Sequence, residues 1–534
     1  MSFEIIDKSL AARIGRIYTA KGFLETPALL PVINVNFNPE LIDWLKKLGY
    51  RGIITNAYLL WKKTGGKIFD IHEYLSFPYP VMTDSGGYQV LKYGSVDFSP
   101  KQSLLYQMKI KSDICVILDL PTGLTKDKEL AKRSVTITLK RAKMAKKYIK
   151  ESSSLFVAPI QGGIHYDLLR HCAKRLKELD YDIYAIGSPT GLMETYNYES
   201  VLKMILFSKI IIGPSKPMHL FGAGHPMFFP FIVAMGIDTF DSAAYDLYAK
   251  DDRYITRTRT FRIQELSELP CVCEICRRFS VKELLEMDKK EREKMLAKHN
   301  LYVSLEEIKT IRTFIREFSL WNYLEEKARS HPSLYRALLF LKKHVKYLEK
   351  YNPLTKANLR GIFLFDSLSA LRPEIITYYE MFINNFKFHE NSILIMLPFL
   401  RHKPFIRSKV SKFLTSKLSE LDINIKNTID LVYVGFPFIL VPYELSETYP
   451  LAQWEGFIGS LRFKNVLNRM LEKIQNTSIS KAVLITTPNY KTLFNKIEEI
   501  LAKNKVPTLK ISLSSLNLNI ITQNISKILD FITK

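Results

Sequence analysis

Three cysteines and one histidine have the spacing of a metal site. Cys271, Cys273 and Cys276 lie within one short segment, and His299 follows them. Three thiolates and one imidazole form the complete tetrahedral ligand set that zinc prefers. Four protein ligands leave no open position, so we expect one structural zinc per chain without a Lewis-acid role. The alternative, buried free thiols beside an unrelated histidine, fits the dense cysteine spacing poorly.

A second set of polar residues follows short apolar runs along the first half of the chain. A single aspartate in such a place is more often a turn former or helix cap than a catalyst, but several together weaken that explanation. Carboxylates without a catalytic metal are typical of acid/base catalysis with a covalent step, as in retaining glycosidases. The residues of this set are Asn56, Asp84, Asp119, Gln161, Gly187, Gly222 and Asp241.

The apolar runs that precede these residues predict eight strands. Helical apolar spacing between them, as in 39–48, 126–150 and 165–179, predicts an alternation of strands and helices. Eight such units within about 250 residues are typical of a TIM (β/α)8 barrel, whose catalytic residues lie at the carboxyl ends of the strands. The predicted strands are 28–33, 52–55, 80–83, 114–118, 156–160, 183–186, 218–221 and 237–240.

The rest of the chain predicts a second domain of the α/β class. We expect a catalytic barrel domain over 1–350, with a zinc-binding subdomain at about 265–305, and a smaller C-terminal α/β domain over 351–534. Its expected strands are 392–397, 431–436, 482–486 and 508–512. We find no signal peptide and no spanning segment, so we expect a cytoplasmic protein that does not enter a membrane.

The net charge of +24 favours a polyanionic partner, although lysine-rich thermophile proteins reach such values without one. Six arginines near the cysteine cluster have the side chain that best fits phosphate oxygens. A solvated basic face explains them equally well. They are Arg253, Arg257, Arg259, Arg262, Arg277 and Arg278.

Several motifs resemble the archaeal branch of the tRNA-guanine transglycosylase family. The similar stretches are collinear over residues 1–350, and the segment Tyr443–Pro450 resembles a motif from the C-terminal part of the same family. The resemblance implies exchange of guanine 15 in the tRNA D-loop for 7-cyano-7-deazaguanine (preQ0), as in archaeosine biosynthesis. The stretches within 1–350 are 83–89, 161–163, 238–245, 248–254, the cysteine motif and 299–302.

The resemblance also implies roles for individual residues. It makes Asp241 the nucleophile that forms a covalent aspartyl-ribosyl intermediate and Asp84 the general acid/base. The base-binding residues that it implies are Asp119 and Gln161, which read the guanine edge, Tyr88, which stacks on the base, and Ser85 and Gly187. This chain departs from the family's pattern at Tyr88, where Phe is usual, and at Ser188, where a second Gly is common.

The implied partners are tRNA and a 7-deazaguanine base. Full-length archaeal members end in a PUA domain that grips tRNA, and no segment here resembles one. We therefore expect a separate PUA-type protein to provide this contact with tRNA. The sequence leaves the oligomeric state open, a homodimer included.

Three other functions compete with this interpretation. A paralogue that modifies the inserted nitrile, as archaeosine synthase does, would have lost the transglycosylase carboxylates, whereas this chain keeps Asp84 and Asp241. A non-catalytic tRNA-binding subunit would lack the nucleophile. A TIM-barrel metallohydrolase would carry His-x-His at a strand end, and the chain has no such motif.

Overall fold

The computed structural model describes residues 2–87, 89, 97–149, 152–357, 359–366, 368–456 and 464–534. The chain divides into two compact units, residues 1–353 and residues 354–534. Among the residues so described, no helix combines the length and the apolar character needed to cross a bilayer.

The first unit contains a parallel barrel of eight strands, which confirms the predicted fold class. Each predicted strand is present, with boundaries that differ by at most two residues. Neighbouring strands pair in parallel in the order β4-β11-β10-β9-β8-β7-β6-β5. A parallel bridge between Val32 and Ile54 joins β4 to β5, so the ring closes. The barrel strands are β4 (Ala28–Pro31), β5 (Ile53–Asn56), β6 (Val81–Asp84), β7 (Ile114–Val116), β8 (Leu155–Ile160), β9 (Ile183–Ile186), β10 (Met218–Leu220) and β11 (Thr239–Ser242).

Helices connect the barrel strands and pack outside them. Helix α1 begins where the Asn38 side chain accepts from the backbone N–H of Glu40, and it ends at Gly49 with a φ of 97°. The helices of this part are α1 (Pro39–Leu48), α2 (Ala57–Thr64), α3 (Ile71–Leu75), α4 (Pro100–Lys109), α5 (Lys128–Ala145), α6 (Tyr166–Glu178), α7 (Thr190–Glu194), α8 (Tyr198–Ile212), α9 (Phe229–Ala234) and α10 (Ala244–Lys250).

An antiparallel sheet precedes the barrel, and the sequence pattern did not predict it. It consists of β1 (Phe3–Ser9), β2 (Ala12–Thr19) and β3 (Gly22–Thr26). Its residues Phe3 and Ile17 share one apolar cluster with Leu30 and Ile54 of the barrel interior. The small sheet therefore covers the amino-terminal end of the barrel and leaves the carboxyl ends of the strands as the accessible mouth.

A hairpin and a run of helices complete the first unit. The hairpin pairs β12 (Arg253–Ile255) with β13 (Thr260–Arg262). Helix α13 packs against α10 and contacts β1, β2 and β4, so it ties the cysteine region to the barrel. The helices are α11 (Glu274–Arg278), α12 (Val281–Glu286), α13 (Lys289–Arg316), α14 (Leu320–Ala328), α15 (Pro332–Lys343) and α16 (Val345–Tyr351).

The second unit is an α/β structure with its own apolar core. Its main sheet has the order β17-β16-β15-β19-β20, parallel except for the antiparallel edge strand β17, and β14 pairs with β18. Strands β15, β16, β19 and β20 confirm the four predicted segments. The strands are β14 (Ile362–Leu364), β15 (Ser392–Pro398), β16 (Ile429–Gly435), β17 (Ile439–Pro442), β18 (Trp454–Gly456), β19 (Ile479–Thr486) and β20 (Thr508–Ser512). The helices are α17 (Pro373–Asn385), α18 (Lys409–Ser419), α19 (Ile423–Lys426), α20 (Lys464–Gln475), α21 (Lys491–Lys503) and α22 (Leu518–Thr533).

Candidate active site and metal centre

The barrel brings the acidic residues singled out in the sequence to its mouth. Asp84 is the last residue of β6, and its register partner on β5 is Asn56. Asp241 lies near the end of β11, and Asp119 follows β7 by three residues. Because all barrel strands are parallel, their carboxyl ends form one rim, and three carboxylates meet there.

The surroundings of Asp84 raise the pKa of its carboxyl group toward neutral pH. Burial raises its pKa to about 7, and the like charges of Asp119 and Asp241 add to the rise. Asn56 Nδ2 donates to an Asp84 oxygen at 2.9 Å, and the backbone N–H groups of Ser85 and Gly86 also bond to this carboxyl group. The hydrogen bonds fix the orientation of the group while the surroundings disfavour its charge.

Asp119 and Gln161 form one polar unit in the wall of the mouth. Gln161 Nε2 donates to Asp119 Oδ2 at 2.5 Å, and both side chains are buried. Gln161 Oε1 accepts from the backbone N–H of Thr122 at 2.9 Å and from the Ser188 hydroxyl at 3.0 Å. Two donors therefore bind the amide oxygen and fix the orientation of the Gln161 amide. Its second N–H remains available to a ligand. Burial raises the pKa of Asp119 to about 6.

Two glycines let the backbone approach these side chains closely. A Cβ atom on Gly87 would lie 2.3 Å from Asp119 Oδ1, and one on Gly187 would lie 2.2 Å from Gln161 Nε2. Both distances are far below van der Waals contact, so any larger residue would displace the polar pair. The space left open is a cavity of about 250 Å³, whose lining includes Asp84, Asp119, Gln161, Gly187, Ser188 and Phe221.

Asp241 accepts two hydrogen bonds on one of its oxygens. His219 Nε2 and the backbone N–H of Gly222 each lie 3.0 Å from Asp241 Oδ1. His219 Nδ1 lies 2.9 Å from the Thr239 hydroxyl, and the imidazole is fully buried. Sequence reasoning missed His219, because it considered residues after the strands and His219 lies inside β10. A lone histidine between Met218 and Leu220 was the available signal.

Of the other predicted base-binding residues, one does not face the cavity and one lies outside the described residues. Ser85 is fully buried, and its hydroxyl donates to the carbonyl of Ile117 at 3.3 Å rather than facing the cavity. Tyr88 lies outside the described residues, so its stacking role stays a prediction. Gly187, by contrast, lines the cavity.

The cysteines and the histidine converge as the sequence predicted. The ligand atoms of Cys271, Cys273, Cys276 and His299 all lie within 4.8 Å of one another. Cys273 Sγ lies 3.5 Å from Cys276 Sγ, and His299 Nδ1 lies 3.5 Å and 3.4 Å from these two sulfurs. A tetrahedron with bonds of about 2.3 Å has edges of about 3.8 Å, so the group fits a metal ion of this kind.

The surroundings of His299 prepare it for metal binding. Its Nε2 donates to the carbonyl of Ile255 at 2.9 Å, which leaves Nδ1 as the free lone pair facing the sulfurs. The Tyr254 ring stacks on the imidazole with centroids 3.8 Å apart. His299 lies on α13, whereas the cysteines lie before and within α11, so a bound ion would join separate segments.

The six arginines are not equivalent in the structure. Arg253 and Arg262 approach the Asp251 carboxylate, and Arg257 binds the buried Glu307 at 3.1 Å. Arg259, Arg277 and Arg278 are exposed, and no ion pair within the described part of the chain engages them. These three can therefore meet a phosphate without breaking an ion pair.

Comparison with known proteins identifies matches to most of the first unit and to part of the second. Residues 7–333 match the family model described as queuine tRNA-ribosyltransferase, and residues 375–520 match one described as a domain of unknown function. The chain is 43% identical to the tRNA-guanine(15) transglycosylase of Sulfolobus acidocaldarius over 85% of its own length and 88% of the relative. It is 44% identical to the enzyme of that name from Saccharolobus solfataricus, over 85% and 90% of the two chains.

A third relative, the tRNA-guanine(15) transglycosylase of Pyrobaculum aerophilum, is 42% identical over 85% of this chain and 90% of its own. The family match covers more than half of the chain, including the strand ends that carry the carboxylates and the four ligands of the metal centre. The barrel, the acidic mouth and these comparisons together show that the chain belongs to the tRNA-ribosyltransferase family.

Proposed function

We propose that this protein exchanges guanine 15 of the tRNA D-loop for 7-cyano-7-deazaguanine through a covalent aspartyl-ribosyl intermediate. The name of its relatives, tRNA-guanine(15) transglycosylase, supports the position of the exchange. The observation that carries the mechanism is the arrangement of carboxylates at the barrel mouth, where burial and the like charges of Asp119 and Asp241 raise the pKa of Asp84 to about 7. The protein then acts on an N-glycosidic bond with one acid and one nucleophile.

In the first half of the reaction, Asp241 attacks C1′ of the ribose. The bond from its oxygen to C1′ forms as the bond from C1′ to N9 of guanine breaks, and the electron pair passes to N9. Asp84 supplies the proton that makes the purine a stable leaving group. A carboxyl group with a pKa of about 7 is half protonated at neutral pH, which suits both donating and accepting a proton.

In the second half, the incoming base repeats these events in reverse. Asp84 takes the proton from N9 of the base, N9 attacks C1′, and the Asp241 carboxylate leaves with the electron pair of the ester. Each step inverts C1′, so the configuration is retained overall. One glycosidic bond replaces another, and the exchange therefore needs no redox or nucleotide cofactor.

The Asp119 and Gln161 pair selects a guanine-like base. Asp119 accepts from the ring N–H and the exocyclic amine, and the free N–H of Gln161 donates to the carbonyl oxygen. Because Thr122 and Ser188 occupy the amide oxygen, Gln161 offers a donor on this side. Adenine would place its exocyclic amine, a donor, against the N–H of Gln161 and would leave buried polar groups unpaired. We therefore expect the site to discriminate against adenine by several orders of magnitude.

We propose zinc as the ion of the Cys271, Cys273, Cys276 and His299 centre, one per chain. Three soft sulfurs and one imidazole favour zinc over magnesium or calcium. Zinc there stabilises the connection between the cysteine segment and α13, and its four protein ligands leave no position for substrate.

Base exchange by the purified chain tests this function. Radiolabelled guanine is incubated with unmodified tRNA, with and without unlabelled preQ0, and a transcript with adenine at position 15 is the control. We expect label to enter only the guanine transcript and preQ0 to compete with it. Absence of incorporation contradicts the exchange, and incorporation into the control transcript contradicts the position.

A further inference from the structure

The fully buried His219 is not among the residues that the proposed reaction uses, although it contacts the reacting carboxylate. It lies on β10 with its imidazole between two side chains of the neighbouring strand β11. Nε2 lies 3.0 Å from Asp241 Oδ1, and Nδ1 lies 2.9 Å from Thr239 Oγ1. The imidazole therefore bridges Thr239 and Asp241.

The direction of these hydrogen bonds follows from the groups involved. An ionised carboxylate can only accept, so Nε2 carries the proton that lies between His219 and Asp241. In a neutral imidazole Nδ1 is then the acceptor, and the Thr239 hydroxyl must donate to it. For an ionised Asp241 beside a neutral imidazole, donation thus runs in one direction, from Thr239 to His219 to Asp241.

Both donors to Asp241 bind the same oxygen. His219 Nε2 and the Gly222 backbone N–H converge on Oδ1. In the described chain no hydrogen bond to Oδ2 accompanies them, so the two carboxylate oxygens are made different. Oδ1 is anchored and Oδ2 is the oxygen available to form a bond.

We propose that His219, oriented by Thr239, is a positioning residue that makes Oδ2 of Asp241 the attacking oxygen and stabilises its carboxylate as the leaving group. This inference rests on the proposed function. When Oδ2 bonds to C1′, Oδ1 becomes the carbonyl oxygen of the ester and keeps both donors. When N9 of the incoming base attacks C1′, the electron pair of the C1′–Oδ2 bond returns to the carboxylate, and the donors on Oδ1 stabilise the returning charge.

Single-turnover kinetics of the protein-RNA adduct test the proposal. The adduct forms with tRNA in the absence of free base, is chased with excess preQ0 and is quantified on denaturing gels. Loss of a hydrogen bond to a charged group changes a rate by roughly 10- to 100-fold. We expect His219→Leu to slow adduct breakdown by about this factor, with metal content and the KM for the base unchanged. His219→Gln keeps an N–H donor and should recover part of the rate.

Two variants at Thr239 form a matched pair that leaves the buried imidazole of His219 in place. Thr239→Val removes the hydroxyl that orients His219, and Thr239→Ser keeps it. We expect adduct breakdown about 5-fold slower in Thr239→Val than in Thr239→Ser. This pair decides the question even if His219→Leu does not fold.

Two results overturn the proposal. They are a breakdown rate in folded His219→Leu within twofold of the parent, and equal rates for the two Thr239 variants. Failure of the proposed function is distinct from both of these, because the parent protein itself would then form no adduct.

Discussion

The barrel mouth and the cysteine cluster both gather groups of like charge, and they stabilise them in opposite ways. At the mouth, three carboxylates approach one another, two of them in the wall of the cavity, and burial raises the pKa of Asp84 to about 7 and that of Asp119 to about 6. In the cluster, three sulfurs approach one another and the free lone pair of His299. Protons reduce the charge at the mouth, whereas the cluster has the ligand set with which a bound metal ion would do so.

This difference explains why one region is suited to chemistry and the other to structure. A carboxyl group that exchanges a proton near neutral pH can serve a reaction, and the open cavity gives a substrate access to it. Four ligands around one ion exclude substrate and fix the chain segments that carry them. The first three of the following experiments each alter one side of this contrast, and the last two concern the binding of tRNA.

Removal of the nucleophile should have the largest effect. We expect Asp241→Ala to lower the exchange rate on the order of 10⁴-fold or more, because no other group can form the glycosyl-enzyme bond. The protein-RNA adduct should disappear from denaturing gels, while metal content and thermal unfolding stay those of the parent. Asp246→Ala, which removes the exposed partner of Lys250 on α10, is the control and should keep full activity. Full exchange by Asp241→Ala would refute the assigned role.

Removal of one cysteine ligand tests the structural side of the contrast. We expect Cys273→Ser to lose the zinc and to destabilise residues 270–301 by several kcal/mol, because metal binding supplies folding free energy. Metal analysis and hydrogen exchange measure the two effects. Cys115→Ala is the control, since Cys115 is a buried cysteine outside the cluster. Zinc that exchanges readily on addition of substrate, or a parent protein without zinc, would contradict the structural role.

The burial of Asp84, together with the neighbouring carboxylates, should lower the free energy of unfolding in a pH-dependent way. The pKa of Asp84 is about 7 in the folded state and about 3.9 in an unfolded chain, so the folded state holds this proton more tightly. The contribution of this proton to the free energy of unfolding is fully present below about pH 4 and is lost as the pH rises through 7. Asp84→Asn carries no charge. We therefore expect its free energy of unfolding to exceed that of the parent by about 1 to 2 kcal/mol at pH 8, and by less at pH 5.

Urea unfolding at the two pH values measures this difference. Asp43→Asn is the control, because the Asp43 side chain is 72% exposed and pairs with Lys46 on α1. It should show no such gain at pH 8. An Asp84→Asn variant that is less stable than the parent at pH 8 would show that the hydrogen bonds to Asp84 outweigh its burial and the repulsion.

The smallest effect concerns the surface beside the cysteine cluster. The logarithm of the binding affinity falls linearly with the logarithm of the salt concentration. For duplex nucleic acid, each phosphate contact makes this slope steeper by roughly 0.9. We expect simultaneous replacement of Arg259, Arg277 and Arg278 by alanine to weaken tRNA binding and to lower this slope by about 2 to 3. Arg175→Ala, on α6 beside Glu178, is the control. An unchanged slope would assign the three arginines to a solvated face.

A separate PUA-type protein should tighten the same complex. Its second contact would raise affinity through effective concentration without changing which base is exchanged. Affinity measured across a salt series, with and without such a protein from the same cell, tests this expectation. Tight, salt-insensitive binding by the chain alone would place the anchor within residues 354–534.

The sequence by itself determined the features that local pattern controls. Alternating apolar runs and helical segments predicted the eight barrel strands, because buried parallel strands are continuously apolar and are separated by amphipathic helices. The cysteine spacing predicted the metal centre, since ligand chemistry restricts both residue type and distance along the chain. Parallel strands also implied that Asp84 and Asp241 would meet at one rim.

Only the tertiary structure decided which groups surround these residues. The sheet β1 to β3 escaped prediction because charged residues interrupt its short apolar runs, and those runs gain their partners from the barrel interior. His219 looked like one more residue of an apolar strand, and Ser188 like a departure from a glycine pair. The barrel places His219 against Asp241 and Ser188 against Gln161, across 22 and 27 residues of chain. Hydrogen bonds across such separations depend on how strands lie side by side, and a linear pattern carries no record of that.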